Sequence, residues 1–153
     1  MVMEYLQVPS SDDFRAQQIF QSYCETFPED ERRSEKQFQS LFSNPNVKVF
    51  SVLKDLKNIG YLIVWELSNS VFVEHFEIFS EYRSLKYGSE IIADLFRDYS
   101  HIILEAEPET LNDDAQRRIE FYKRNGFTII DEQYIQPSYG EGKSPLNLWL
   151  LAN

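Results

Sequence analysis

The sequence predicts an α/β fold in which a central mixed sheet carries helices on both faces. Between Val47 and Phe79, three apolar segments separated by short turns predict a meander of antiparallel strands. The last of these segments, a helix and the strand His101 to Ala106 then follow in the order of a parallel crossover. Since no repeat or Pro/Gly/Ser-rich linker interrupts the chain, we expect one domain over residues 1–153.

The elements before the meander are a short strand and two helices. The segment Glu4 to Val8 is extended, and Pro9 ends it. Residues 10–13 offer N-cap side chains for a helix that runs toward Thr26 with its apolar residues at helical spacing. A second helix fits Ser34 to Phe42. Later in the chain we expect a helix from about Asp113 to Arg124, and the strands Phe127 to Ile130 and Leu146 to Leu151, joined by the Pro/Gly-rich residues 136–145.

The composition argues against several classes of protein. A net charge of −10 disfavours nucleic-acid binding, and it is compatible with an acidic cleft for a cation, although solubility is the simpler explanation. No run approaches the roughly 18 apolar residues that span a bilayer, and the first residues do not resemble a signal peptide. The single cysteine, Cys24, forms no internal disulfide, and no His/Cys/Asp spacing suggests a metal. We therefore expect a cytoplasmic protein that needs no metal.

A polar loop, Ser80 to Ser89, precedes the crossover helix and offers a phosphate site. The first turn of a helix carries unpaired N–H groups and a partial positive charge, which together favour an anion. Arg83 and Lys86 add charge-assisted contacts, and Gly88 lets main chain and phosphate approach closely. An ordinary surface turn with a helix cap is the alternative interpretation of this loop.

The second motif, Phe121 to Phe127, runs from a helix end into a strand. A glycine-capped helix with core aromatics explains this segment equally well in isolation. The two motifs bracket the strand His101 to Ala106, however, and this order gives them more weight together than either has alone.

These two motifs resemble those of the GCN5-related N-acetyltransferases, the GNAT family. Arg83 to Gly88 is similar to the family's CoA-binding motif, Gln/Arg-x-x-Gly-x-Gly/Ala, and Phe121 to Phe127 to its aromatic-Tyr-x-x-x-Gly-Phe motif. The order of elements matches the family along nearly the whole chain. Lys86 stands at the family's first Gly, and Ala115 stands where many members carry an Asn. Shorter stretches at residues 104–108, 117–119 and 134–139 resemble a bacterial subgroup of this family.

The resemblance implies direct transfer of an acetyl group from acetyl-CoA to a primary amine. Tyr122, which matches the family's tyrosine, is the implied acid toward the leaving sulfur. The strand that ends at Phe79 is implied to diverge from its neighbour and to leave main-chain groups of Ile78, with Phe76 as a further candidate, free for the donor. The predicted acetyl-CoA-binding residues are Ile78, Phe79, Arg83, Lys86, Tyr87, Gly88 and Ser89.

Carboxylates on neighbouring strands are the candidates for the general base. Glu74 is the first choice and Glu77 the second, and strand alternation places them on opposite faces unless a bulge intervenes. Glu105 and Glu107 could join Glu74 in an acidic pocket for the amine. Any one of these glutamates could equally be a solvated or ion-paired surface group. His75 is a further candidate base, although a lone histidine on a strand is more often structural.

The acceptor itself is not identified by the sequence. Tyr139 lies in the loop before the last strand and could close over an acceptor, although a plain surface excursion is as good an interpretation. The partners that we expect are a small-molecule or peptide amine and a second copy of the chain, with neither nucleic acid nor membrane. The alternative function is a non-catalytic acyl-CoA-binding module, suggested by Lys86 and Ala115.

Overall fold

The structure, a computed structural model, describes residues 2–153. Within them the chain forms seven strands and four α-helices, with 3₁₀ turns at Glu29–Glu31 and Ser80–Tyr82. The strands are β1 Met3–Gln7, β2 Val47–Lys54, β3 Lys57–Glu66, β4 Val71–Ile78, β5 Ile102–Ala106, β6 Thr128–Gln136 and β7 Leu146–Ala152. The helices are α1 Phe14–Thr26, α2 Glu35–Leu41, α3 Tyr87–Asp98 and α4 Asp113–Arg124.

All seven strands join one mixed sheet in the order β1-β2-β3-β4-β5-β7-β6. The β4–β5 pair is parallel, as the crossover pattern predicts, and the other neighbours are antiparallel. One hydrophobic core packs α3 and α4 against the sheet, and a second packs α1 and α2 against it. The predicted fold class, a mixed sheet with helices on both faces, is therefore confirmed.

Side-chain caps set the start of three helices. Asp13 accepts a hydrogen bond from the Arg15 N–H at the start of α1. Ser34 opens α2 with a reciprocal capping box, in which Ser34 and Gln37 satisfy each other's main-chain N–H. Asn112 caps α4 by accepting from the Ala115 N–H at 2.8 Å. The polar residues before each apolar stretch thus mark where the helix begins.

The β6 strand is longer than the sequence predicts. The predicted strand ends at Ile130, whereas β6 continues to Gln136. Its pairing with β7 shifts register twice, between Ile129 and Asp131 and between Asp131 and Tyr134. These irregularities break the alternation of polar and apolar residues, so a polar edge strand is interpreted as loop.

The feature that positions the site is a divergence in the middle of the sheet. Pairing between β4 and β5 covers only Val71↔Ile102, Phe72↔Ile103 and Val73↔Leu104. Beyond Val73, β4 continues to Ile78, and no strand among residues 2–153 pairs with it on its β5 side. No helix among residues 2–153 has the length and apolar character needed to cross a membrane.

Candidate active site

A cleft of about 700 Å³ opens where β4 and β5 diverge. Its walls are the second half of β4, the end of β5, the loop that enters α3 and one side of α4. The end of α1 and the 3₁₀ turn that follows close it at the other side of the sheet. The cleft therefore connects a basic helix start with a group of carboxylates.

Main-chain groups of β4 face this gap. The Phe79 N–H donates to the Ile59 carbonyl at 2.9 Å, so the main chain of Phe79 is directed at β3. Because successive residues of a strand direct their N–H and C=O to opposite sides, the main-chain groups of Phe76 and Ile78 face the cleft. The Ile78 carbonyl accepts a hydrogen bond from Arg83 Nε at 2.9 Å. The Phe76 groups have no partner strand.

The loop before α3 combines two cations with a strained backbone. Ser84 and Lys86 have φ values of 66° and 65°, in the left-handed region that favours glycine. Lys86 is the N-cap of α3, and no side chain caps that helix start within the described residues. The N–H groups of the first turn are thus left for a ligand. Lys86 holds the conformation that a glycine would adopt at this position without steric strain.

Gly88 lets α3 and α4 approach each other beside the cleft. A Cβ added at Gly88 would lie 3.0 Å from Cζ of Phe121 and 3.8 Å from Cζ of Phe76. A larger residue would therefore push an aromatic ring into the space where the two helices meet β4.

Tyr122 lies on α4 and lines the cleft with 8% of its surface exposed. Its ring makes edge contacts with Phe121 and Phe127 at centroid distances of 5.4 and 5.7 Å. No hydrogen-bond partner for its hydroxyl exists within residues 2–153, and burial raises the pKa of Tyr122 above its ordinary value. The group is a protonated donor that is free to bind something in the cleft.

A β-bulge brings Glu74 and Glu77 to the same side of the sheet. The β3–β4 register shifts at this point, so that Ile63 pairs with His75 and Val64 with Val73. Glu74 contacts Arg33, and Glu77 contacts Ser22 of α1, so both carboxylates are directed at the α1 side. The expectation of opposite faces holds only for a regular strand and does not apply here.

Arg33 neutralises Glu74. Arg33 Nε and Nη2 donate to the two carboxylate oxygens at 3.1 and 2.7 Å, and Trp65 Nε1 donates at 3.1 Å. Burial raises the pKa of the Glu74 carboxyl, but the hydrogen bonds and charge of Arg33 outweigh it and hold that pKa below its ordinary range. A carboxylate in this setting is a weak proton acceptor.

Glu105, at the end of β5, differs from Glu74 in that its pKa is raised. Its Oε1 accepts from Gln136 Nε2 at 2.9 Å, and its Oε2 is buried with no hydrogen-bond partner within residues 2–153. Burial raises the pKa of Glu105 to about 7, and the charge of Glu74 adds to the increase. Glu105 can therefore accept and release a proton near neutral pH.

Glu31 and Glu107 form the acidic mouth of the cleft. Glu107 Oε1 accepts from Arg118 Nη1 at 3.0 Å. Burial, followed by the charge of Glu107, raises the pKa of Glu31 to about 7. Both residues line the cleft, as does Glu105.

His75 lines the cleft and packs against aromatic rings. Its imidazole lies 4.8 Å from the ring of Tyr23 and 4.4 Å from that of Phe27, measured between centroids. Burial lowers the pKa of His75 to about 4, so the ring is neutral at physiological pH. No group of His, Cys, Asp or Glu side chains in the described part of the chain is arranged to hold a metal ion.

A model of the acetyltransferase (GNAT) family matches residues 16–127. The chain belongs to the GNAT acetyltransferase family. Membership implies acetyl-CoA-dependent acyl transfer. No curated protein matches the sequence significantly.

Solved structures of GNAT proteins superpose along nearly the whole chain. A GNAT-family protein from Bacteroides thetaiotaomicron, assigned as an acetyltransferase, has 28% identity and a TM-score of 0.89 over 98% of this chain and 86% of its own. The ribosomal-protein-S18-alanine N-acetyltransferase of Escherichia coli has 18% identity and a TM-score of 0.65 over 99% and 92%. A GNAT acetyltransferase of Elizabethkingia anophelis, solved with acetyl-CoA bound, has 12% identity and a TM-score of 0.57 over 78% and 82%.

Most residues that the sequence selects for the GNAT site line this cleft. Phe79 does not: its side chain is 7% exposed and packs in the α1/α2 core with its ring 6.1 Å from that of Tyr61. Since its N–H is also bonded to β3, Phe79 has nothing to offer a donor. The residues that do line the cleft are Glu74, Ile78, Arg83, Lys86, Tyr87, Gly88, Ser89, Glu105, Glu107 and Tyr122.

Tyr139 lies behind the GNAT cleft and does not line it. Its ring stacks on the Arg33 guanidinium at 4.8 Å, and its hydroxyl accepts from Gln136 Nε2 at 3.2 Å. Gln136 Nε2 also donates to Glu105, so Tyr139 is linked to this cleft residue through Gln136.

Glu31 and Arg33 are the site residues that sequence reasoning missed. Both fall in the connection between α1 and α2, where no motif or periodicity marks them. The hydrophobic contacts of Phe27 and Phe38 with Tyr23 hold this connection against the sheet.

Proposed function

We propose that this protein is an acetyl-CoA-dependent N-acetyltransferase that transfers an acetyl group to a primary amine by direct attack in a ternary complex. The observation that carries the proposal is the continuity of the cleft. One space joins the α3 start, the hydroxyl of Tyr122 and the carboxyl group of Glu105. Family membership supports the donor and the reaction class.

The residues at the α3 end fit a CoA donor. Free N–H groups of the first helical turn, with Arg83 and Lys86, suit a pyrophosphate. The unpaired main chain of Phe76 beside Ile78 suits the amide groups of a pantetheine arm, which can hydrogen-bond like a strand. When bound, acetyl-CoA supplies an acetyl group activated as a thioester.

Glu105 is our proposed general base. Its pKa of about 7 matches the task of taking a proton from an ammonium group at neutral pH, whereas Glu74 is occupied by Arg33. Glu74 keeps a role through charge and position, since the Arg33 pair fixes the wall of the cleft. Tyr122 holds its proton at the hydroxyl and donates it toward the sulfur side of the donor.

The acidic mouth favours a cationic acceptor. Glu31, Glu105 and Glu107 line the end of the cleft opposite the cations of the α3 loop. Since Arg118 pairs with Glu107, Glu31 and Glu105 would supply the attraction for an ammonium group, most strongly above about pH 7 where both are ionised. The cations of the α3 loop would attract phosphates to the other end. The acceptor is therefore a small-molecule or peptide amine. The single cysteine, Cys24, supports a reducing, cytoplasmic compartment, and a homodimer remains a prediction.

Titration of the purified protein with acetyl-CoA by calorimetry tests the donor half of the proposal. We expect saturable binding in the micromolar range, followed by thiol release with members of an amine panel. Absence of binding at millimolar acetyl-CoA would overturn the proposal. Binding with no thiol release for any amine would favour the non-catalytic acyl-CoA-binding module, which the occupied state of Glu74 also supports.

A further inference from the structure

Glu77 is a buried carboxyl group that the proposed reaction does not use. Its side chain is 3% exposed, and it lies on β4 at the wall of the cleft. Oε1 accepts a hydrogen bond from Ser22 Oγ of α1 at 2.5 Å. Oε2 has no hydrogen bond of normal length in the described chain; Arg83 Nη2 lies 3.8 Å from it, and the buried hydroxyl of Tyr61, the cross-strand neighbour of Glu77 on β3, also interacts with this carboxylate. A buried oxygen without a hydrogen bond is unfavourable unless a nearby charge compensates it.

Arg83 is anchored at two points by β4. Its Nε donates to the Ile78 carbonyl at 2.9 Å, while Nη2 is the group that faces Glu77. The side chain is otherwise half exposed, with 53% of its surface accessible. A half-exposed arginine side chain keeps most of its rotamer freedom unless contacts with the protein fix it.

The loop that Arg83 begins requires such an anchor. Ser84 and Lys86 both adopt positive φ, a conformation that a non-glycine residue adopts only at a conformational cost. Between them the chain makes no regular secondary structure, and α3 begins directly after Lys86. Fixing Arg83 to the end of β4 fixes the first residue of this strained segment.

We propose that Glu77 is a positioning residue for donor binding, which holds the Arg83 guanidinium against β4 and so keeps residues 83–88 in the shape that receives the donor's phosphates. The inference rests on the proposed function. Ser22 fixes one oxygen of Glu77, which leaves the other for Arg83 and for the Tyr61 hydroxyl. The carboxylate is buried but the guanidinium is half exposed, so solvent partly screens the attraction across 3.8 Å and its contribution is modest.

Positioning and simple charge repulsion predict opposite results. Glu77→Gln removes the negative charge, retains the size of the side chain and leaves an oxygen for Ser22. If Glu77 acts only through its charge, this change strengthens binding of a phosphate-bearing donor. If Glu77 positions Arg83, the change weakens that binding, because Arg83 loses its anchor.

The experiment is calorimetric titration of CoA into the wild type, Glu77→Gln and the control Glu81→Gln. Glu81 is exposed on the same connection, and its change removes one negative charge without touching the Arg83 anchor. We expect the Kd for CoA to rise about fivefold in Glu77→Gln, as loss of a partly exposed ion pair predicts, and to stay within about twofold in Glu81→Gln. An unchanged or lower Kd in Glu77→Gln overturns the inference.

A double-variant cycle separates positioning from a general structural role. In an Arg83→Gln background, Glu77→Gln should have little further effect on the Kd, because its target is absent. An equal loss in both backgrounds overturns the inference. If Glu77→Gln does not fold, Ser22→Ala takes its place, and we expect a smaller increase in the Kd for CoA. The same comparison in the wild-type and Arg83→Gln backgrounds then decides the inference. If the wild type itself does not bind CoA, both the proposed function and the positioning role of Glu77 are overturned.

Discussion

Arg33 holds Glu74 through two hydrogen bonds, with Nε 3.1 Å from Oε2 and Nη2 2.7 Å from Oε1. The guanidinium also lies 5.9 Å from the ring of Trp65 and 4.8 Å from that of Tyr139. A residue of the α1–α2 connection thereby joins the bulge of β4 to the β6–β7 loop. The pair lies behind the wall of the cleft that Glu74 lines, and it makes Glu74 a weak proton acceptor.

Replacing Arg33 with Met should destabilise the protein by about 3 kcal/mol, because it leaves the buried Glu74 carboxylate without its cation. The pKa of Glu74 lies below its ordinary value in the folded state. Its contribution to stability is therefore present above the ordinary pKa and lost as pH falls through the folded pKa. Urea unfolding of the wild type and the variant at neutral and acidic pH measures both effects. Arg97→Met, which removes a guanidinium that is 70% exposed, should change the unfolding free energy by less than about 1 kcal/mol, and an equal loss in both variants would contradict the prediction.

Glu105→Gln should remove the dependence of kcat on pH near neutrality, measured with saturating acceptor. The pKa of Glu105 is about 7, so wild-type activity should rise as pH increases through this value and the base becomes free. The same raised pKa makes the group stabilising at low pH, and that contribution is lost as pH rises through about 7. Thiol release between pH 5 and pH 9 measures the rise in activity, and thermal unfolding over the same range measures the loss of stability.

Glu31→Gln is the matched control for this pH profile. Burial also raises the pKa of Glu31 to about 7, but the residue lies at the mouth of the cleft beside Glu107. We expect this variant to keep the pH profile of kcat and to raise the KM of a cationic acceptor. If the rise in kcat near neutral pH survives in Glu105→Gln and disappears in Glu31→Gln, then Glu31 is the base and Glu105 contributes to acceptor binding.

Tyr122→Phe should lower kcat by about a hundredfold or more while the Kd for acetyl-CoA stays nearly unchanged. The hydroxyl has no partner within residues 2–153 to lose, so the fold should tolerate the change. Single-turnover thiol release with a saturating donor measures the chemical step. Tyr99→Phe, which removes a hydroxyl bonded to Glu66 away from the cleft, should leave that step unaffected. An unchanged rate in Tyr122→Phe would remove this residue from the mechanism.

Lys86→Gly should be more stable than Lys86→Ala by about 1 kcal/mol, because φ at this position is 65°. Both variants lose the ammonium group, so their difference isolates the backbone. Both should bind CoA more weakly and with a smaller dependence on salt than the wild type. Denaturant unfolding measures the difference in stability, and titration with CoA at two salt concentrations measures the salt dependence of binding. Equal stability of the two variants would mean that the loop relaxes to negative φ.

Gly60→Ala should destabilise the protein by roughly 2–3 kcal/mol and weaken CoA binding. A Cβ at Gly60 would lie 2.2 Å from the Glu77 carbonyl, a main-chain atom of β4 that cannot move without moving the strand. Gly140→Ala is the control, since the nearest atom to its added Cβ is Gln37 Nε2 at an ordinary 3.7 Å. Thermal unfolding without CoA measures the loss of stability, and the stabilisation by added CoA measures binding. A Gly60→Ala variant as stable as the wild type would show that β4 is not fixed at this point.

The sequence predicted most of the sheet because its central strands are apolar and its turns are short. It also selected Arg83, Lys86, Gly88 and Tyr122, since a motif is a local pattern and these residues fall within two such patterns. The failure at β6 has a physical cause: an exposed edge strand with two register shifts carries no alternation to detect.

Side-chain partners across the fold could not be predicted in the same way. The ion pair between Arg33 and Glu74 joins residues 41 positions apart, and only the folded chain brings them together. The change in the preferred base from Glu74 to Glu105 depends on that pair. A single bulge, invisible in the sequence, also decided which face Glu74 shares with Glu77.

The short parallel seam between β4 and β5 has a mechanical consequence. Within residues 2–153, only three residue pairs, from Val71↔Ile102 to Val73↔Leu104, join the strands of the β1–β4 part of the sheet directly to those of the β5–β7 part. Val73 and Leu104, the last of these pairs, also line the cleft. Arg33 ties the two parts together a second time, because it binds Glu74 of β4 and stacks on Tyr139 of the β6–β7 loop. The width of the cleft at its inner end is therefore set by the side chains of the last pair, and a larger or smaller residue at Val73 or Leu104 should narrow or widen it.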